Sequence, residues 1–454
     1  MHERADTIEA ASALAEELAG AGVAGVTIAW ADNNGIPRSR TVPVGRLADV
    51  AVQGVGITTL FAVFDSHDVI TFEHDGLSTP SGDVRLVPEV DRITRLAGQG
   101  AFAWAPGRQL APDGSPSPYD QRSALEAQVD RAAALGLELR AGYELEFFVG
   151  HDADDLQPAH AGPAYSPHAL LAVDEFAAQL LADLAANGLQ IGQLHAEYGL
   201  SQVELSLPPA DPVTAADDQL LARQTIRAAA RAHGLRVSFA PLVSEATAGN
   251  GWHVHASVLR DGENLLAGSG DRPRPEGAAF VAGLLRDLPA IAAISAPSVP
   301  SLARLRPGYF ASAFAFWGVQ NREAALRYVP GAPLPGPQGA NVELKPSDAS
   351  GNPYLALAAL FAAGLAGIEE GLAPPEPIQE DPGAWTDAER ERRGVVRLPA
   401  TPAEQEAALT GCERVRAALG EQRLGAFVAV RRSDAAWAAE RDLDEVVAAH
   451  LWRY

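Results

Sequence analysis

Polar residues in this chain recur at alternate positions inside otherwise apolar segments. In "AGYELEFFVG", residues 141–150, Tyr143, Leu145 and Phe147 alternate with Glu144 and Glu146. A strand sends successive side chains to opposite faces, so the two glutamates share one face roughly 7 Å apart. Three more segments repeat the pattern. In "HAEYGLSQVELS", 195–206, Glu197 precedes a turn at Gly199, after which Gln202, Glu204 and Ser206 alternate with Val203 and Leu205. In "GNGWHVHASV", 249–258, His253, His255 and Ser257 share a face, and in "ANVELKPSD", 340–348, Asn341, Glu343 and Lys345 do so. Trp252 and Tyr309 read as packing residues.

Helical spacing and punctuation fill the intervals. Residues 7–20 predict a helix ending at Gly20 and Gly22, and "YDQRSALEAQVDRAAALG" predicts another stopped by Gly136. Asp174 is the expected cap of a helix whose apolar positions are 176, 177, 180, 181 and 184. Asp211–Pro212 opens a long helix reaching toward Gly234, and Asn352–Pro353 opens an Ala-rich buried one. Residues 23–44 predict strand, turn and strand, with Asn34–Gly35 as the turn, and strand-like pieces continue to about residue 103. The Pro/Ser/Gly stretch 111–118 is the best division of the chain, and "GAPLPGPQGA", 331–340, predicts a loop. We place a small N-terminal domain at 1–106 and a larger one at 107–454. Beyond about residue 376 the chain is polar and helical and says little about chemistry.

Composition narrows the classes. A chain of 454 residues that is 47% hydrophobic has material for a large core and more than one average domain. A formal charge of −23 argues against nucleic acid as the partner. The single cysteine, Cys412, leaves no intramolecular disulfide and no multi-cysteine metal site. The charged N-terminus lacks a signal-type apolar region, and no uninterrupted apolar run reaches about 18 residues, so the expected setting is cytoplasmic, with no membrane. Lys345 is the only lysine; every other strong base is arginine.

Each polar face alone suits a solvated strand. Converging, the four would place five carboxylates and two histidines in one cavity, where the carboxylates cannot all ionise without cations. Oxygen ligands with an occasional imidazole suit hard divalent cations, Mg²⁺ or Mn²⁺, and such clusters most often handle phosphate. Arg322 and Arg327 in "NREAALR" and Arg304 in "RLRPGY" add guanidinium forks suited to phosphate and carboxylate oxygens.

Six motifs in order carry a resemblance: E-x-E-F-F; E-(x)6-E with glutamine two before the second glutamate; G-x-G-x-H-x-H-x-S; R-x-x-P-G-Y; N-R-(x)4-R; and V-E-(x)4-D-(x)3-N-P-Y-L. Together, from about residue 23 to 370, they resemble the type I branch of the glutamine synthetase family. The resemblance implies an α+β fold: a small N-terminal β-grasp domain, then a catalytic domain with a curved antiparallel sheet flanked by helices. It implies a homo-oligomer of stacked rings, a dodecamer, with sites between subunits. The substrates would be ATP, glutamate and an amine, with two or three Mg²⁺ or Mn²⁺ per site. By motif, Glu146, Glu197 and Glu204 would hold one metal, and Glu144, His253 and Glu343 a second. His255, Ser257 and Asn341 would face the nucleotide, Arg322 and Arg327 the phosphate. Arg304, Gly249 and Lys345 would lie on the glutamate side, and Phe310 at the amine pocket.

Departures from the family pattern bear on the amine. The family loop "PGYEAP" carries a glutamate over the ammonium pocket; this chain reads "PGYFAS", with Phe310 there. The family's D-G-S-S aspartate has no counterpart in "GITTLFAVFDSHD", 56–68, although Asp65 lies nearby. Lys345 and Asn341 stand where the family has arginines, Gly192 where it has glutamate, and Ala248 where it has asparagine. Some family members ligate glutamate to larger amines (polyamines, ethanolamine, simple alkylamines, anilines), and these often lack the ammonium acids. The expected activity is therefore ATP-dependent γ-glutamylation of an organic amine through γ-glutamyl phosphate. The alternatives are glutamine synthetase itself and a non-catalytic relative.

Overall fold

The computed structural model describes residues 2–74, 76–77, 81–153, 155–331, 334 and 336–454. Its first unit is a six-stranded sheet. The hairpin Gly25–Ala31 and Pro37–Pro43 forms where expected, with Asp32 Oδ1 accepting the turn N–H groups of Asn34 (2.8 Å) and Ile36 (3.0 Å). Gly25–Ala31 lies parallel to Phe102–Leu110, which continues the sheet to Asp83–Pro88 and Val55–Thr58. The helices His2–Gly20 and Leu47–Gln53 pack together beside this sheet, a β-grasp arrangement with its own apolar core around Val26, Ile28 and Leu86. Phe102–Leu110 runs through residue 106, and the Pro/Ser/Gly stretch follows that strand directly.

The second unit is built on nine strands. Along the sheet they run Trp317–Val319, Leu326–Val329, Asn341–Leu344, Val254–Arg260, Glu138–His151, Gln202–Ala210 and Gln193–Ala196. Leu235–Ser238 and Glu263–Asn264 add to it from Glu138–His151 and Val254–Arg260. The four segments singled out by their alternation are thus neighbours. Pairing is antiparallel except between Trp317–Val319 and Leu326–Val329, which run parallel. One face is apolar: Tyr143, Leu145 and Phe147 are buried against helices that include Pro212–Ala232 and Pro353–Glu370. Phe148, on the glutamates' side by alternation, is also fully buried, so the polar face ends at Glu146.

The helices follow their punctuation. Asp211 caps Pro212–Ala232 and Asn352 caps Pro353–Glu370, each side chain accepting two backbone N–H groups of the first turn. Asp174 is the exception: it lies inside the helix Asp174–Ala186, preceded by Val173, and makes no cap bond. Phe176, Ala177, Leu180 and Leu184 are buried there, but Leu181 is exposed. Pro275–Ser295 and Pro353–Glu370 are long and apolar enough to cross a membrane, but 78% and 83% of their apolar windows are buried in the protein. They pack at close range because Gly283 and Gly367 meet. A Cβ on Gly283 would stand 2.2 Å from the Ala363 carbonyl oxygen, so the approach needs bare backbone. In the expected loop 331–340, residues 332, 333 and 335 lie outside the described residues, and Pro337–Gly339 forms a 3₁₀ turn.

The last helices close the seam between the units. The Ser66 backbone N–H and hydroxyl both donate to Asp434 Oδ1, at 2.9 and 2.7 Å, and Arg431 donates to the Asn34 side chain. Asn352 Nδ2 donates across the same seam to the carbonyls of Ala31 (3.0 Å) and Asp32 (2.9 Å).

Candidate active site

The polar face of the nine-stranded sheet forms the floor of a cavity of about 1000 Å³. Register explains the convergence: Glu146 pairs directly with Glu204, and His255 with Glu343. Like charges opposed across a sheet are unfavourable on their own. Here the imidazoles intervene. His253 Nδ1 lies 3.2 Å from Glu144, 3.6 Å from Glu343 and 3.8 Å from Glu146. His255 Nε2 lies 3.2 Å from Glu144 Oε1, an ion-pair distance without hydrogen-bond alignment, and its Nδ1 is 2.9 Å from Asn341 Oδ1. Ligand atoms of Glu144, His255 and Glu343 all lie within 4.8 Å of one another.

Burial and charge set the acidities. Burial pushes Glu146 up to about 7, helped by Glu204 and opposed by His253. Glu343 is held at about 2: burial acts against its charge, but Lys345, His255 and His253 more than offset it. Glu144 is half-buried, which opposes its charge, but the same two imidazoles hold its carboxyl well below the usual range. Burial disfavours the charged form of His255, yet Glu144 and Glu343 raise it to about 9. The site therefore draws positive charge from its own imidazoles. Its oxygen-rich donors and the unaligned, buried Nε2 of His255 fit a divalent cation, whereas the sequence reading expects His253, not His255, beside Glu144 and Glu343.

Each other expected residue has a definite place. Glu197 and Glu204 line the cavity, and His195 Nε2 stands 3.3 Å from Glu204. Gln202 Nε2 donates to Glu146 (3.1 Å) and Asn250 (2.8 Å), which fixes the Glu146 carboxylate between Gln202 and the Gly251 N–H at 2.7 Å. Arg304 is buried, donates to the Ser347 carbonyl at 2.8 Å, and has no hydrogen bond at Nε. Gly249 lets it in: a Cβ there would meet Arg304 Cδ at 2.8 Å. Arg327 donates to Glu343 at 3.0 Å, and buried Lys345 donates to the other oxygen at 3.2 Å. Arg322, Phe310 and Asn341 also line the cavity.

Two sequence expectations are corrected. Ser257 is not on the cavity wall: pairing with Asn341–Leu344 ends at Ala256, and Ser257 faces Arg140 across the neighbouring strand. Tyr309 is not packing; it is exposed on the cavity rim, with the Arg306 guanidinium 3.8 Å from its ring centre. Trp252 is packing, fully buried with its Nε1–H on the Glu146 carbonyl. Asp65 does not reach this cavity. Its carboxylate accepts the His67 and Val69 N–H groups and the Ser433 hydroxyl, each at 2.9 Å. Tyr165, His195 and Tyr198 on the wall were not found from sequence: Tyr165 lies outside the four alternating segments, and His195 and Tyr198 flank Glu197 ahead of the alternating part of 195–206.

The acidities predict a coupled metal and pH response. A carboxyl raised from 4.5 to about 7 binds extra protons in the folded state, so Glu146 lowers stability as pH rises through that window. His255, raised above its ordinary 6.5, contributes stability that is lost as pH rises toward about 9. Both act in the same direction, and a cation replaces both protons. Thermal unfolding without metal should therefore fall from pH 6 to pH 9, and Mn²⁺ should stabilise more at the higher pH. At 100-fold over its dissociation constant the gain is about 2.7 kcal/mol. A shift larger at pH 6 than at pH 9 would refute this account.

Comparison with known proteins agrees with the geometry. The glutamine synthetase catalytic domain matches residues 118–445. A gamma-glutamylpolyamine synthetase of Streptomyces coelicolor is 45% identical over 99% of this chain and 98% of its own. A solved glutamine synthase homolog superposes with a TM-score of 0.85 at 31% identity, covering 95% of this chain and 99% of that one. A solved GmaS–ADP complex superposes at 0.83 with 26% identity, over 95% and 97%.

Proposed function

Because this chain belongs to the glutamine synthetase family, we propose that it is an ATP-dependent ligase that joins the γ-carboxylate of glutamate to an organic amine. One observation carries the reading. The acid–imidazole cluster, Arg304, Arg322, Arg327 and Phe310 share one cavity, so phosphoryl-transfer chemistry is combined with an amine pocket whose loop lacks its acid. The gamma-glutamylpolyamine synthetase relative supports an amine larger than ammonia. Tyr165, Tyr198, Tyr309 and Phe310, all exposed on the cavity wall, offer faces to an alkyl chain or an ammonium group.

Glutamate would be held by Arg304 through its α-carboxylate, with Gly249 giving backbone access. Arg322 and Arg327 would meet the transferring phosphoryl group. His255 and Asn341, joined by their hydrogen bond, would lie on the nucleotide side, and the solved GmaS–ADP complex supports a nucleotide in this fold. Mg²⁺ or Mn²⁺ would be held by Glu146, Glu197 and Glu204, and by Glu144, Glu343 and the imidazoles, where cations neutralise the phosphate oxygens. The buried Lys345 fixes the Glu343 carboxylate from the side opposite Arg327. The amine then displaces phosphate from γ-glutamyl phosphate, with positioning and electrostatics supplying the rate. A cytoplasmic homo-oligomer of stacked rings, with a neighbouring subunit completing each site, fits this reading.

Phosphate release from ATP with glutamate and Mg²⁺ tests it. Ammonium is compared with ethanolamine, short alkylamines, putrescine, spermidine and aniline. At least one organic amine should exceed ammonium about tenfold or more in kcat/KM. Release with ammonium alone would make the protein a glutamine synthetase, and silence throughout would favour a non-catalytic relative.

A further inference from the structure

An amine arrives at neutral pH as an ammonium ion and must lose a proton before its nitrogen can attack. The acids on the cavity floor are committed to the cation cluster, Asp65 already accepts three hydrogen bonds from its own loop and from Ser433, and Asp348 faces Arg304 and Ser350. The loop over the amine pocket, "RLRPGYFAS", contains no acid of its own. One acid nevertheless meets that loop. Glu323 Oε1 accepts the Phe310 N–H at 3.2 Å, and its backbone carbonyl accepts the Ser312 hydroxyl at 3.0 Å. Phe310 and Ser312 both hold left-handed backbone, φ 53° and 66°, conformations that cost non-glycine residues roughly 1–3 kcal/mol. This turn directs the Phe310 N–H toward Glu323 while the ring lines the cavity.

Glu323 is itself fixed. Asn321 Oδ1 accepts its N–H at 3.0 Å, and Arg322, the residue between them, lines the cavity. Lys345, on the same wall, lies within electrostatic reach. The side chain is half-buried and meets the cavity wall through Phe310 rather than lining it. The Phe310 contact is the only hydrogen bond its carboxyl makes among the described residues, which leaves Oε2 open. Burial raises this carboxyl above its ordinary value, opposed by the Phe310 N–H and helped by the like charge of Asp381, so the group holds a proton more readily than a free glutamate does.

We propose that Glu323 is the carboxylate that receives the amine substrate, holding its ammonium form beside Phe310 and taking its proton. This rests on the amine-ligase reading above. The ammonium passes one proton to Glu323. Its free nitrogen pair then forms the C–N bond at the γ-carbonyl as the C–O bond to phosphate breaks. Phosphate departs with that electron pair and takes the second N–H proton, and Glu323 returns its proton to solvent.

The test is Glu323→Gln, which keeps an acceptor for the Phe310 N–H and removes only the charge. For wild type and variant, kcat/KM is measured with the preferred amine and with hydroxylamine, which is mostly neutral at the assay pH. The amine-to-hydroxylamine ratio should fall about 100-fold, within the usual range for loss of a general base. Ser312→Ala loosens the same loop without touching the carboxylate and should move both rates together. An unchanged ratio in Glu323→Gln, or an equal loss with both nucleophiles, would overturn the proposal and make Glu323 a loop brace. If Glu323→Gln does not fold, Glu323→Asp is read by the same ratio. Wild-type protein inactive with every organic amine would instead refute the ligase reading.

Discussion

Glu343→Ala should abolish turnover and destabilise the protein together. Glu343 is 1% exposed and neutralises two bases at once, Arg327 at 3.0 Å and Lys345 at 3.2 Å, with His253 3.6 Å away. Removing it leaves buried cations facing one another. Deleting one partner of a buried pair costs about 3–5 kcal/mol. It also removes a donor from the cluster it shares with Glu144 and His255, so kcat/KM should fall by about 10³-fold or more. The stability effect has a pH signature. A carboxyl held at about 2 contributes stability that is fully present above its unfolded value of 4.5 and lost as pH falls toward 2. Urea midpoints of wild type and variant should thus differ most at neutral pH and converge below pH 4. Near-normal turnover in Glu343→Ala would remove this cluster from the reaction.

Phe310→Glu should shift the enzyme toward ammonium. Phe310 is 55% exposed and lines the cavity beside Tyr309, so a glutamate there adds charge at the pocket without disturbing the core. A hydrogen bond to a charged group is worth about 1.5–3 kcal/mol, or roughly 10–100-fold in the ammonium-to-organic-amine ratio of kcat/KM. The φ of 53° is already left-handed, so the exchange of one non-glycine side chain for another adds little backbone cost. Competition between ammonium and the preferred amine in a single assay reads the ratio directly. A ratio within twofold of wild type would mean that the Phe310 ring does not set amine choice.

The central arrangement was legible because alternation is a local property with a long-range consequence. Glu144 and Glu146 must share a face wherever their strand lies, and only a sheet that gathers the other polar faces accounts for all four segments. Caps were legible for the same local reason at Asp211 and Asn352, and misread at Asp174, where Val173 precedes the helix and Asp174 lies within it. Ser257 shows the limit of spacing: it keeps the face of His255, but the strand bearing Glu343 stops pairing before reaching it. Tyr309, Tyr165 and Glu323 could not be read from sequence. Their places depend on where loops fold back in space, and loop direction has no period. Asp65 looked available as a neighbour of the expected motif, and only the structure shows three donors already on its carboxylate.

The seam closed by the last helices has a consequence for biosynthesis. Ser66 waits for Asp434, 368 residues further along the chain, and Asn34 waits for Arg431. At translation speeds of about 5–20 residues per second, the 56–68 loop stays without these partners for roughly 20–70 s after it leaves the ribosome. During that interval Val69 and Phe72, exposed even in the finished fold, stand beside an open seam. A chain that ends before residue 431 would therefore leave the β-grasp unit without these anchors.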